Sequence, residues 1–232
     1  MSIPNGSRRM TAMDLRRKII SVLKTEPLDA VLAAVWSLPP RQAVSPLIGG
    51  LSHAGGNVKW HAVSALGLVM AALATEDMEA ARNIMRRLIW SLNDESGNTG
   101  WGIPEAMAEI MASHDGLAEE YAHILVAYMR KDGSYLKLLP LQRGLMWGIG
   151  RLAATRPDLL RKWGAPAYLL SYLDSEDPEV RGLAARASGI LRIEEAMERL
   201  SDLRDDSSEI FLYDNGKLEI RTVGQLAGEA LA

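Results

Sequence analysis

Apolar and polar residues recur along this chain with a helical beat, in blocks cut by proline, glycine and capping residues. Residues 1–10 have no such pattern and read as a flexible tail. Thr11 can cap a helix over 12–23. Pro27 opens a second helix that ends near Trp36, because Pro39-Pro40 cannot continue it. A third runs over about 41–52 and stops at Gly55-Gly56.

From there the chain repeats itself. Segments 58–69, 99–110, 141–152, 180–191 and 220–231 align without gaps, their starts 41, 42, 39 and 40 residues apart. The eighth position is always small: Ala65, Ala106, Gly148, Ala187 and Ala227. The tenth is Gly67, Ala108, Gly150 and Gly189, departing only at Glu229, and the twelfth is always apolar. Small residues in register at a period near 40 predict helix pairs stacked so closely that backbones touch.

Partner helices are expected over 76–92, 116–130, 157–173 and 193–203. Asp177-Pro178 has the form of an N-cap followed by a first-turn proline, and Asn57 and Asn98 could cap the equivalent helices. Over 211–222, Asn215-Gly216 lies between alternating flanks, which signals a short β-hairpin, after which Thr222 caps a last helix. No linker divides the chain. The expectation is an all-α, right-handed solenoid of about five to six helical hairpins over 11–232, one domain, with a β-hairpin insert covering its last repeat.

Composition agrees and narrows the chemistry. Of 232 residues, 48% are hydrophobic, yet only one is Phe, while Ala, Leu, Met, Arg and Glu abound, which favours helix over sheet. The absence of cysteine excludes disulfides, thiolate catalysis and Cys-ligated zinc or iron–sulfur clusters. No run approaches ~18 uninterrupted apolar residues and the N-terminus has no signal-peptide core, so no membrane span and a cytoplasmic location are expected. Net charge is −3, and residues 174–209 hold eleven acidic against five basic side chains, which argues against nucleic acid as a partner.

The run Asp177-Pro-Glu-Val-Arg181-Gly-Leu-Ala-Ala-Arg-Ala-Ser-Gly189-Ile-Leu resembles the HEAT-like repeat of the phycobilin-lyase type, with Val180, Arg181, Ala184, Ala187, Gly189 and Leu191 carrying the likeness. The resemblance covers about 40–232. It implies a HEAT-like solenoid and leaves function open among scaffolds and lyase subunits. Segment 99–110 departs from it: Gly100 replaces the usual basic second residue, and Pro104 would kink its helix.

Positions three, seven and eleven of each segment lie on the face opposite the packing positions, the concave side of a stacked array. They assemble a ridge of Trp60, then Trp101, Glu105 and Glu109, then Arg143, Trp147 and Arg151, then Arg186, with His61 beside Trp60. Exposed indoles among fixed charges mark binding surfaces; the competing reading is that a loop or helix covers them as core. Glu105 and Glu109 should face Arg143 and Arg151 across the next helix, as inter-repeat ion pairs or in a catalytic or cation-binding role, and Glu105, Arg143 and Arg151 could orient a ligand. Gly100, Gly102 and Gly144 flank the ridge and imply close approach by a helix or a ligand.

No metal site is expected. The histidines at 53, 61, 114 and 123 form no zinc-binding pair on one helix, and the oxygen-rich run 93–98 lacks EF-hand spacing. No nucleophile elbow, phosphate loop or dinucleotide fingerprint is present, so no catalytic residue and no cofactor is assigned. The sequence therefore favours a non-catalytic scaffold that binds a protein or peptide on the ridge. Two alternatives remain open: a DNA glycosylase-like HEAT enzyme, given the loose similarity of Trp101 with Glu105, and a lyase-like subunit handling a tetrapyrrole protein. Oligomeric state is not legible.

Overall fold

The computed structural model describes residues 11–53, 57–93 and 100–232. The expected tail at 1–10, the stop at Gly55-Gly56, the cap at Asn98 and most of the oxygen-rich run at 93–98 lie outside them.

Three helices open the chain: α1 (Ala12–Thr25), α2 (Leu28–Trp36) and α3 (Pro40–Leu51). Thr11 and Asp14 form a full capping box on α1. Then come α4 (Asn57–Glu76), α5 (Met78–Leu92), α6 (Ile103–Ser113), α7 (Asp115–Ala127), α8 (Leu139–Thr155), α9 (Pro157–Lys162), α10 (Ala165–Leu173) and α11 (Pro178–Leu191). The chain closes with α12 (Met197–Asp202), an antiparallel hairpin of β1 (Glu209–Asp214) and β2 (Lys217–Thr222), and α13 (Val223–Ala230).

The repeat segments supply an inner row in which α4, α6, α8, α11 and α13 pack successively on one another, with α3 continuing the row past α4. The small positions explain the spacing. Ala65, Ala106, Ala187 and Ala227 are fully buried. A side chain at Gly148 would meet Ala108, and one at Gly189 would meet the backbone of Ala230. The second members α5, α7 and the α9–α10 pair pack outside this row. Among the described residues one helix, α4, is long and apolar enough to cross a membrane by length and composition, but 67% of its apolar window is buried inside the protein.

Four boundaries differ from the sequence expectation, each for a local reason. The helix expected over 157–173 breaks at Trp163-Gly164, where Gly164 takes φ 78° and caps a new helix that starts at Ala165 with Pro166 in its first turn. The helix over 193–203 shrinks to α12 between 3-10 turns. Segment 220–231 starts as strand, so only its last two turns are helical. In segment 99–110, α6 begins at Ile103 after Gly102 at φ 76°. Pro104 therefore sits in the first turn, where a missing N–H costs nothing, and the expected interior kink does not arise.

The hairpin is tied to α11 from its start. Arg181 Nε lies 2.7 Å from Asp206 Oδ2, and Asp206 Oδ1 also accepts from the Ser208 amide. The Arg181 guanidinium, helped by Ser208 and opposed by burial, holds the Asp206 carboxyl at about 2. Because this pKa is depressed from 3.8, the stabilisation is present above pH 4 and is lost as pH falls toward 2. Unfolding free energies from urea titrations between pH 5 and pH 2 should fall for the wild type by up to about 2 kcal/mol more than for Asp206→Asn. Parallel acid limbs would show that this ion pair carries no stability.

Candidate functional site

The ridge residues resolve into two clusters. The first is covered. The hairpin lies across the inner row and packs Tyr213 onto the touching pair Trp60 and Trp147. The Tyr213 ring stacks on Trp60 at 4.6 Å with 7° between planes, and Trp147 tilts against Trp60 at 4.9 Å. Trp147 Nε1 donates to the Tyr213 carbonyl at 2.7 Å, and the Tyr213 hydroxyl shares a hydrogen bond with Ser64 Oγ at 2.9 Å. Burial pushes the Tyr213 phenol above its usual range, against the pull of Ser64.

Trp60 and Trp147 are therefore only 7% and 6% exposed, which corrects the expectation that both indoles face solvent. They do point to the ridge side, but the protein's own hairpin occupies it. Arg186 lies 3.2 Å from Asp214 of β1, and Arg151 binds Glu109 through Nε at 2.6 Å, the expected pair across α6 and α8. A cavity of about 390 Å³ survives between the hairpin tip, α2 and α4, lined by Leu28, Leu68, Glu109, Trp147 and Tyr213 among others. His61 leaves the ridge altogether: it is buried, with Nδ1 donating to the Leu23 carbonyl of α1 at 3.0 Å.

The second cluster surrounds Trp101, which is 48% exposed. Trp101 is not on a helix. It sits in the turn before α6, and the positive φ of Gly102 brings the chain against the Leu51 carbonyl at the end of α3. On one side of the indole lies a mainly apolar hollow of about 230 Å³ between Leu92, Leu138, Pro140 and Leu141. On the other lies a charged cavity of about 310 Å³, where Lys59, Glu105, Arg143 and Glu179 converge with His53 and Pro140.

The pairing in that cavity differs from the expected one. Glu105 is 3% exposed and meets Lys59 of α4 at 3.0 Å instead of Arg143. Its carboxylate lies against Gly144, where any Cβ would come within 2.3 Å of Oε2, so the expected close approach is made by a neighbouring helix's side chain. Among the described residues Oε2 has no hydrogen-bond partner. Arg143 instead forks onto Asp177 through Nε and Nη2, the latter at 2.6 Å. Burial would raise the Asp177 carboxyl, but Arg143 and the Val180 amide it caps hold it below the usual range.

Glu179 faces the same cavity, with Arg143 Nε at 3.9 Å as its nearest cation. Burial pushes its carboxyl up, aided by Asp177 and Glu105 and only partly offset by Arg143 and Lys59. Lys59, Glu179 and Tyr213 were not among the ridge positions. Lys59 stands at the second position of its segment and Glu179 just before the first of its own, so the three-seven-eleven pattern passes over both. Tyr213 belongs to an insert outside the repeat. Among the described residues no group of three His, Asp or Glu side chains could hold a metal ion.

Stacked helix pairs, an inner row in register and a hairpin drawn over it define a helical-repeat solenoid. No family model matches the chain, and no curated protein matches it. Solved structures do share its fold. An engineered protein from a structural genomics consortium superposes with TM-score 0.53 at 18% identity, over 93% of this chain and 94% of its own. A designed armadillo repeat protein follows at TM-score 0.51 and 20% identity, over 92% and 97%. Another, solved in complex with the peptide (KR)4, gives 0.51 at 18%, over 93% and 98%.

Proposed function

We propose that this protein is a non-catalytic, HEAT-like scaffold that binds an extended peptide or a segment of a partner protein. The observation that carries the reading is Trp101: a half-exposed indole held by the positive-φ turn at Gly102 between an apolar hollow and a charged one. Rigid aromatic anchors with polar groups at their rim are what concentrate binding energy at interfaces. The designed armadillo neighbour with its bound peptide supports this use of the architecture. The binding residues assigned are Trp101, Glu105 and Arg143, joined by Lys59 and Glu179. Trp60, Trp147, Glu109, Arg151 and Arg186 serve the same face by seating the hairpin beside them.

The glycosylase-like alternative asks for an open carboxylate beside the indole. Glu105 is buried and engaged by Lys59, which favours the scaffold reading. Selection from a displayed library of unstructured peptides tests it. Enriched peptides should bind Trp101→Ala at least about tenfold more weakly than wild type, with the thermal unfolding midpoint unchanged. Equal binding by the variant removes the assignment.

A further inference from the structure

Resting on that reading, we infer that the charged cavity beside Trp101 is a receptor for the guanidinium of an arginine in the bound peptide. The charges decide the sign. Glu105 and Glu179 line the cavity with Lys59 and Arg143, and Asp177, buried behind Arg143, makes three carboxylates to two cations. Both cations are committed. Lys59 holds Glu105 at 3.0 Å and lies 4.1 Å over the Trp60 ring, while Arg143 is forked onto Asp177. Glu179 is left with a distant partner, and Glu105 keeps Oε2 unpaired against Gly144.

The shape decides the ligand. Among the described residues no cation lies over Trp101, although Lys59 covers Trp60 and Lys162 approaches Trp163. An aromatic face beside an under-neutralised carboxylate suits a guanidinium, which stacks on the ring and forks onto the carboxylate as an ammonium cannot. The methylene stem would run along Leu51 and Pro140 at the cavity wall. Arginine thus supplies a close cation to Glu179, whose present contact with Arg143 is 3.9 Å, without disturbing the Lys59–Glu105 or Arg143–Asp177 pair.

A pH dependence follows. Glu179 is faced by Arg143, Lys59, Asp177 and Glu105, with His53 in the same cavity. Burial raises its carboxyl, so part of it is protonated on the acid side, where it attracts no cation. Guanidinium binding should strengthen as pH rises through the Glu179 titration and weaken as pH falls through it.

The test uses the full chain and N-acetyl-arginine amide, read at the Trp101 indole N–H resonance, assigned through Trp101→Phe. The arginine amide should shift that resonance, while the citrulline and aspartate amides should not, and the lysine amide should bind more weakly. Glu179→Gln should weaken the arginine amide about tenfold and abolish its pH dependence. Binding of citrulline or aspartate as strongly as arginine, or indifference to Glu179→Gln, overturns the inference. A second arm keeps this apart from the broader reading. Library peptides that need Trp101 but carry no preferred arginine refute the guanidinium site and leave the scaffold. Failure of any peptide to engage Trp101 refutes the scaffold, whatever the small amides do.

Discussion

Trp147→Ala should lower the unfolding free energy by about 3–5 kcal/mol, the range for truncating a buried aromatic. The indole touches both Trp60 and Tyr213, and its N–H is the donor that fixes the Tyr213 carbonyl. Removing it leaves a void under the hairpin and an unpaired carbonyl within a buried cluster. Trp147→Phe separates the two contributions: it keeps most of the packing and drops the hydrogen bond, for a loss of about 1 kcal/mol. Urea unfolding followed by circular dichroism measures both. A loss below about 1 kcal/mol for the alanine variant would mean that Tyr213 is not seated on the indoles in solution.

Gly102→Val is the second large effect, and it acts on the backbone. A valine there must hold φ near 76°, a conformation costing a β-branched residue about 1–3 kcal/mol. Its Cβ would also lie 2.9 Å from the Leu51 carbonyl oxygen and 3.0 Å from the Leu51 Cβ, for about 1–3 kcal/mol more. Gly102→Asn tolerates the left-handed conformation and retains mainly the steric part. Thermal unfolding of the three proteins should rank glycine above asparagine above valine. Valine should also release Trp101 from its turn, visible as altered quenching of an exposed tryptophan. Equal stability of all three would show that the turn is not held as described.

The repeat architecture was legible because backbone contact demands small side chains, and the eighth and tenth positions carry them at a fixed beat. The start of α6 was misplaced because alignment to the other segments treats Trp101 and Gly102 as helical. Pro104 one position into the helix, behind a glycine, was the signal for a later start. The hairpin was visible in Asn215-Gly216, but a turn motif says nothing about where its strands come to rest. Tyr213 meets Ser64 149 residues away and Trp147 66 residues away, contacts that no local pattern encodes. The same limit hid the true partner of Glu105: Arg143 and Lys59 are both basic and both one repeat away, and only packing at Gly144 and the cap at Asp177 selects between them.

The reach of the hairpin tip alters how this molecule should come apart. In an open row of repeats each unit senses only its neighbours, and the two termini fray separately. Here Gly216 rests on Leu28, so the last unit clasps one of the first. The row becomes a closed circuit whose beginning and end must let go together. Its melting should behave as one event spanning the chain, with a folding rate slowed by that distant closure.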